Sequence, residues 1–305
     1  MTPNLFIIGA QKAGTTYLLR HLRQHPEIYL YPEELHFFRE PYYDPTLVDA
    51  FESLLVPRRG ERVVGMKCPG YLHYPGVTAR LAEHYPAARI IVSLRDPIDR
   101  FISAYYHYVR HGRIPVADIN EGLAAILDGS YDVRYPYAGQ ILAFGRYAER
   151  LEALFRAYDR PNVLCLISEA VAEDPDGSVQ GCCEFLGVGP RFSAAVSRLR
   201  SNTAVYSLPR LRICQALGFH ESYEYWLHAH EPLSRIRWRL AHTYLRALRG
   251  IDRLVLARIL PNPPENPVLA PALEKCLATY YRPDAERTGE LLASDLSQWR
   301  VFKVC

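Results

Sequence analysis

Four short apolar runs, separated by helical patterns, constrain the fold of this chain more than any other feature. The runs are Leu5–Ile8, Val63–Met66, Arg89–Leu94 and Asn162–Ile167. Helical patterns between and after them cover Thr15–Gln24, Gly76–His84, Pro97–Arg110 and Gly139–Tyr158. Such runs are typical of parallel strands buried on both faces, and their alternation with helices predicts an α/β fold with a doubly wound parallel sheet. Ligands bind such sheets at the carboxyl ends of the strands, so the residues after each run are the candidate site.

The rest of the chain predicts one domain over residues 1–305 with a largely helical C-terminal third. At 305 residues the chain is long enough for one large core. Ser234–Leu260 is rich in Arg with apolar residues at helical spacing, and a final helix is predicted over Pro271–Leu296. The basic residues of this Arg-rich segment are expected to form a solvated helix face, although an acidic ligand or a membrane surface would also suit them.

Net charge and cysteine content limit the possible binding partners and the cellular compartment of the protein. The net charge of +3 gives no overall polyanion-binding signature, so no nucleic-acid partner is expected. The seven cysteines are odd in number and contain no Cys-x-x-Cys pair, which predicts buried thiols in a reducing compartment and no metal site. With no signal-peptide pattern and no membrane-length apolar stretch, we expect a cytoplasmic protein without stable membrane insertion.

The loop after the first apolar run carries a predicted anion site. Gly9-Ala10-Gln11-Lys12-Ala13-Gly14-Thr15-Thr16 joins a strand to a helix, where backbone N–H groups bind phosphate or sulfate. Gly14 permits close approach, Lys12 adds positive charge, and Thr15 and Thr16 add hydroxyl donors. A Walker A loop instead has Lys immediately before its Ser or Thr.

Two further strand ends carry basic residues. Lys67 follows the second run, at the edge where the ligand crevice is expected. Arg95-Asp96-Pro97 follows the third run, with Asp96 suited to cap the next helix and Ser103 about two turns into it. Asp96 would also fit a Walker B carboxylate for magnesium, which keeps a nucleotide kinase as the alternative.

These motifs together resemble the sulfotransferases that use 3′-phosphoadenosine-5′-phosphosulfate (PAPS), in their heparan-sulfate-type branch and its bacterial relatives. The resemblance rests on segments 11–16, 33–38 (Glu-Glu-Leu-His-Phe-Phe), 67–71 (Lys-Cys-Pro-Gly-Tyr) and 95–103, and more weakly on 201–210 and 280–299. It implies catalytic roles for Glu34, as general base, and for His36, Lys12 and Lys67. It also implies donor binding by Lys12, Ala13, Gly14, Thr15, Thr16, Arg95 and Ser103.

The resemblance implies in-line sulfuryl transfer from PAPS to a hydroxyl or amine, with release of 3′-phosphoadenosine-5′-phosphate (PAP) and without a metal. The acceptor is expected to be a small molecule, a lipid or a carbohydrate. The Tyr-rich stretch Tyr131–Tyr147 and the Arg-rich segment Ser234–Leu260 are candidates for the acceptor wall. The resemblance does not extend to residues 211–268, which are therefore interpreted as a variable helical segment and a possible acceptor-side element. A non-enzymatic nucleotide- or anion-binding module is the second alternative, which the predicted Glu34 and Lys67 at the crevice disfavour.

Overall fold

The computed structural model describes residues 2–57, 60–189, 204–217, 240, 243–244 and 246–304. The chain divides into two compact units, each assembled from separate stretches of sequence. Unit 1 comprises Met1–Asp96, Arg146–Asn202 and Asp284–Trp299, and unit 2 comprises Pro97–Gly145, Thr203–Pro283 and Arg300–Cys305. That residues 1–305 act as a single domain stays a prediction.

Unit 1 contains a five-stranded sheet in which every neighbouring pair is parallel. The strands are β1 Leu5–Gly9, β2 Ile28–Leu30, β3 Val63–Lys67, β4 Arg89–Leu94 and β5 Val163–Ile167. Their order across the sheet is β2-β3-β1-β4-β5. The predicted α/β fold with a parallel sheet is confirmed, and all four predicted strands occur. The sequence analysis missed β2, because three residues are too few to show a strand pattern.

Helices flank the sheet and dominate the described part of the C-terminal third, as predicted. In chain order they are α1 Thr15–Leu22, α2 Val48–Glu52, α3 Val77–His84, α4 Pro97–Arg110, α5 Ile119–Leu127, α6 Ala138–Ala143, α7 Ala148–Ala157, α8 Ser168–Glu173, α9 Pro175–Leu186, α10 Leu208–Ala216, α11 Ala257–Ile259, α12 Pro271–Leu292 and α13 Arg300–Lys303. A π-helical turn, Asp252–Leu256, directly precedes α11. Within the described residues, no helix combines the length and apolar character that crossing a membrane requires.

The core of unit 1 lies between one face of the sheet and two helices. It combines apolar side chains of the strands, of α1 and α9, and of the residue pair after α9, namely Leu5, Ile7, Leu18, Leu19, Leu22, Ile28, Leu30, Val63, Ile91, Val179, Cys182, Cys183 and Val188. Each fully buried Leu or Ile contributes about 2 kcal/mol relative to exposure. The free energy gained by this packing holds α1 to β1, and so fixes the start of α1 beside the carboxyl end of β1.

The single helix predicted over Gly139–Tyr158 is wrong, because α6 and α7 are separate helices. The backbone N–H groups of Tyr147 and Ala148 donate to the carboxylate of Asp284, at 2.6 and 3.2 Å. Asp284 lies 137 residues beyond Tyr147 in the sequence, so no local pattern marks this break. Burial is the main cause that raises the pKa of Asp284 above its ordinary value.

Other predicted bounds shift by smaller amounts. The first helix, predicted to end at Gln24, ends at Leu22. The last long helix, predicted to end at Leu296, ends at Leu292. Residues 234–239 of the predicted Arg-rich helix lie outside the described residues, and its later part contains the π-helical turn.

In unit 2, a buried carboxylate joins three parts of the chain. Asp252 is only 1% exposed and forms ion pairs with Arg110 of α4 and Arg210 of α10, at 2.5 Å each. Burial opposes its ionisation, but the hydrogen bond from Arg210 and the charges of Arg110 and Arg210 together lower the pKa of Asp252. The carboxylate therefore stays charged and is the buried counter-charge of both guanidinium groups.

We expect Asp252→Asn to lower the free energy of unfolding by about 3 kcal/mol, because two guanidinium groups lose a buried counter-charge. Because its folded pKa is depressed, Asp252 contributes stability above the unfolded-state pKa of about 3.9, and this contribution is lost as pH falls through the lower folded pKa. Urea denaturation at pH 7 measures the effect. Asp128→Asn, at an exposed position of the same unit, is the matched control. Equal urea midpoints for both variants would contradict the interpretation.

Candidate active site

Four neighbouring strand ends of unit 1 carry the predicted site residues. Glu34 follows β2, Lys67 is the last residue of β3, the loop of residues 10–14 follows β1, and Arg95 follows β4. Because the strands are parallel and adjacent in the order β2-β3-β1-β4, these residues share one edge of the sheet. The edge therefore combines one carboxylate with several cationic groups.

The loop after β1 has the backbone expected of an anion-binding turn. Lys12 and Gly14 adopt left-handed conformations, with φ of 72° and 86°. For Lys12 this conformation costs about 1–2 kcal/mol, and such costs concentrate at functional sites. Helix α1 begins at Thr15, and no side chain caps its first N–H groups. These groups and the Thr16 hydroxyl are available to an anion.

Hydrogen bonds to β4 hold this loop in place. The backbone N–H of Ala10 donates to the carbonyl of Ser93 at 2.6 Å, and the Ser93 hydroxyl donates to the carbonyl of Ala13 at 2.5 Å. Ser93 is 1% exposed, so both bonds are shielded from water. The loop is thereby preorganised, and an anion would not have to order it.

Lys67 contacts both the loop after β2 and the start of α1. Its side chain is 7% exposed, and its ammonium forms an ion pair with the carboxylate of Glu34. The Lys67 Nζ also lies 3.4 Å from the Thr16 Oγ1 at the start of α1. A buried ammonium needs a counter-charge, so Lys67 fixes Glu34 beside the loop.

His36 and Cys68 form a second contact next to this pair. The Sγ of Cys68 lies 3.5 Å from the Nδ1 of His36. Cys68 is 1% exposed, and burial, with the negative charge of Glu34, raises the pKa of its thiol well above the ordinary value. The sequence analysis treated Cys68 as a buried hydrophobic residue and missed this contact, which only the fold creates.

Hydrogen bonds to the backbone at Arg95 and Asp96 fix the position of Arg95. Its carbonyl accepts a hydrogen bond from the Tyr147 hydroxyl at 2.9 Å, and its Nη1 lies 3.5 Å from the carbonyl of Lys12. The next backbone N–H, of Asp96, donates to the Oε1 of Glu169 at 3.0 Å. Glu169 is the second residue after β5, so inspecting the end of the fourth predicted strand would have found it.

An arginine that the sequence analysis missed lies close to Cys68. The Arg39 guanidinium is 4.9 Å from the ring centroid of Tyr42 and 4.8 Å from that of Tyr74. It donates to both hydroxyls, at 3.3 and 2.8 Å, and its charge lowers the pKa of Cys68 against the larger effect of burial. The sequence contained a signal that could have found Arg39, because it directly follows Phe37-Phe38, the end of a segment that carries the family resemblance.

The remaining predicted residues lie in unit 2 or outside the described residues. Ser103 is half-buried on α4 of unit 2, so its joint role with Arg95 in unit 1 stays a prediction. The rings of Tyr131 and Tyr135 pack edge to face at 5.3 Å, and their role in the acceptor wall also stays a prediction. Residues 201–203 of segment 201–210, which carries a weaker family resemblance, are outside the described residues.

Comparison with known proteins finds one family. The profile described as "Sulfotransferase domain" matches residues 2–207. The heparan sulfate glucosamine 3-O-sulfotransferase 3A1 of Mus musculus is 30% identical over 191 residues, which are 61% of this chain and 46% of that protein. The bifunctional heparan sulfate N-deacetylase/N-sulfotransferase 2 of Homo sapiens is 28% identical over 200 residues, which are 62% of this chain and 22% of that protein.

Among solved structures, a sulfotransferase from Alicyclobacillus acidocaldarius superposes with a TM-score of 0.67. It is 28% identical, and the alignment covers 98% of this chain and 99% of that chain. This chain, by contrast, spans about half the length or less of the curated relatives that it matches. The family resemblance drawn from the sequence motifs is confirmed.

We expect iodoacetamide to modify Cys68 at least about tenfold more slowly than Cys276 at pH 7.5. Cys68 is buried and its raised pKa leaves little thiolate, whereas Cys276 is exposed. Peptide mapping by mass spectrometry over a time course gives both rates in one sample. Comparable rates would show that the Cys68 pocket opens to solvent.

Proposed function

This chain belongs to the sulfotransferase domain family, and from that premise we propose that it transfers the sulfuryl group of PAPS to an acceptor hydroxyl or amine and releases PAP. One observation carries the proposal: the buried Lys67 contacts both Glu34 and Thr16. It thus joins a carboxylate suited to accept a proton to the loop suited to hold an anionic donor. A site that only binds anions gains nothing from Glu34.

Each group has a role in an in-line transfer. The loop of Lys12, Ala13, Gly14, Thr15 and Thr16 binds the phosphosulfate, and Arg95 with Ser103 binds the 3′-phosphate. Glu34 takes the proton of the acceptor, with His36 beside it. As charge grows on the leaving oxygen, Lys67 shifts from Glu34 toward that oxygen, and Lys12 adds a second positive charge. Positioning and electrostatics supply most of the acceleration, as in phosphoryl transfer.

The nucleotide-kinase alternative is not favoured. The family match names sulfotransferases, and Lys12 precedes Gly14 instead of standing directly before Thr15. Asp96 is 1% exposed and its backbone N–H is bound by Glu169, so Asp96 is embedded in the protein at the end of β4. The expected reaction needs no metal ion.

For the acceptor, a carbohydrate is favoured over other small molecules and lipids. The Mus musculus relative is named for heparan sulfate glucosamine and the Homo sapiens relative for heparan sulfate. The aromatic rings of Tyr42 and Tyr74 around Arg39 are suited to the apolar faces and polar edges of sugars. Incubation with radiolabelled PAPS and separate carbohydrate and lipid pools tests this, and label in the lipid pool alone would overturn it.

A cytoplasmic location remains a proposal, supported by the free thiols of all six described cysteines.

We expect PAP to raise the melting temperature more than ATP does at equal concentration. A ligand that binds only the folded state stabilises it by mass action, and PAP alone carries the 3′-phosphate that Arg95 is proposed to bind. A thermal-shift series with PAP, ATP and ATP plus magnesium measures this. Stabilisation by magnesium-ATP without stabilisation by PAP would support the kinase.

We expect Arg95→Ala and Glu34→Gln to separate binding from chemistry. Arg95→Ala removes a charge-assisted phosphate contact, which should weaken PAP binding by about 2 kcal/mol. Glu34→Gln keeps the shape but cannot accept the proton, so turnover should fall roughly a hundredfold while PAP affinity changes little.

Calorimetry with PAP and a turnover assay on both variants make the comparison. Glu33→Gln is the matched control, because Glu33 is the preceding carboxylate and interacts instead with Tyr31. A loss of PAP binding in Glu34→Gln as large as that in Arg95→Ala would remove Glu34 from the chemistry and make it structural.

A further inference from the structure

Three metal-ligating side chains converge at the carboxyl ends of β2 and β3. One ligand atom each from Glu34, His36 and Cys68 lies within 4.8 Å of the other two. Glu34 and His36 come from the loop after β2, and Cys68 immediately follows β3. The sequence analysis expected no metal because their spacing matches no ligand motif. Only the pairing of β2 with β3 brings them together.

The separation of two of these atoms fits a metal with tetrahedral geometry. In a tetrahedral zinc site with bonds of about 2.3 Å to sulfur and about 2.05 Å to nitrogen, the sulfur and nitrogen are about 3.6 Å apart. The Sγ of Cys68 and the Nδ1 of His36 are 3.5 Å apart. The separation of these two ligands therefore matches the tetrahedral spacing, and the Glu34 carboxylate, with an oxygen within 4.8 Å of both, supplies the third ligand.

The chemistry of the three ligands selects the metal. Thiolate and imidazole favour borderline-soft ions such as Zn²⁺, whereas Mg²⁺ and Ca²⁺ prefer oxygen ligands only. Three protein ligands leave a fourth position for water, and the Glu34 side chain is 28% exposed, so the cluster reaches solvent. We propose that Glu34, His36 and Cys68 form a reversible Zn²⁺ site that switches the reaction centre off.

Zinc binding requires three changes in the protein. Their free-energy cost weakens binding, so the ion binds reversibly and is not a permanent structural ion. The Cys68 thiol releases its proton to solvent, His36 presents the lone pair of Nδ1, and Glu34 leaves the ammonium of Lys67. Lys67 and Arg39 both face the cluster, and their positive charges oppose a second cation while they favour the thiolate. The ion therefore binds more weakly than it would at a site without cationic neighbours.

The inhibitory consequence rests on the proposed function. Once its carboxylate ligates zinc, Glu34 cannot take the proton of the acceptor, and Lys67 loses its partner. Zinc therefore competes with the acceptor proton, and with the ammonium of Lys67, for the carboxylate oxygens of Glu34. The metal site itself requires only the three ligands, so binding and inhibition are tested by separate measurements.

Cobalt and zinc titrations of the full chain test the metal site. We expect Co²⁺ to bind the unmodified protein at one site with a thiolate-to-cobalt absorption band and the strong visible bands of tetrahedral cobalt, which Zn²⁺ then removes. Cys68→Ser should abolish the thiolate band and weaken zinc binding, measured against a chromophoric chelator, by at least about tenfold. Cys276→Ser, at an exposed thiol, is the matched control and should behave as the unmodified protein does.

His36→Gln provides a second variant in case Cys68→Ser does not fold, and it should weaken zinc binding while keeping the PAP thermal shift. A missing thiolate band in the unmodified protein, or a band that Cys68→Ser and His36→Gln leave unchanged, would overturn the site.

A transfer assay then tests the switch. Zn²⁺ should lower the transfer rate of the unmodified protein and of Cys276→Ser, and EDTA should restore it. In Cys68→Ser, the same fractional inhibition relative to its own metal-free rate should need at least about tenfold more zinc. Transfer that requires zinc, or is indifferent to bound zinc, would overturn the inhibitory role. A cobalt band without any PAP stabilisation would leave the metal site standing and refute the proposed function.

Discussion

The ion pair between Lys67 and Glu34 is the interaction on which the rest of this site depends. Lys67 ends β3 with its side chain 7% exposed, in a place where an unpaired ammonium would be strongly unfavourable. Its counter-charge comes from the loop after β2, and its second neighbour, Thr16, starts α1. One buried cation thus positions the carboxylate relative to the anion-binding loop.

In the proposed mechanism, the same pair serves two stages of the transfer. Before reaction, Glu34 compensates the charge of the buried Lys67. When Glu34 accepts a proton its charge disappears, and Lys67 is released to the growing negative charge of the leaving group. The preorganised loop, fixed to β4 through Ser93, contributes because its N–H groups need not reorient.

The same proximity exposes the site to metal ions. Cys68 follows Lys67 in the chain, and its thiol contacts His36, two residues beyond Glu34. A serine at position 68 would keep a small polar side chain without the soft sulfur ligand. The thiol is therefore the feature that makes this centre sensitive to zinc, while its burial keeps it from reacting freely with electrophiles.

The sequence alone determined the parallel α/β fold and the residues at its strand ends, because buried strands and helices each carry a periodicity that a local pattern shows. Lys12, Lys67 and Arg95 follow directly from that rule, since the carboxyl ends of parallel strands share one edge. Glu34 needed the family resemblance, because β2 is too short to show a pattern. Only the tertiary structure decided the break before α7, which depends on Asp284 far along the chain. It also decided the pairing of Glu34 with Lys67 and the contact of His36 with Cys68. Each of these contacts joins residues at least 32 positions apart in the sequence, so their distance is set by how β2, β3 and α12 pack and not by any local spacing.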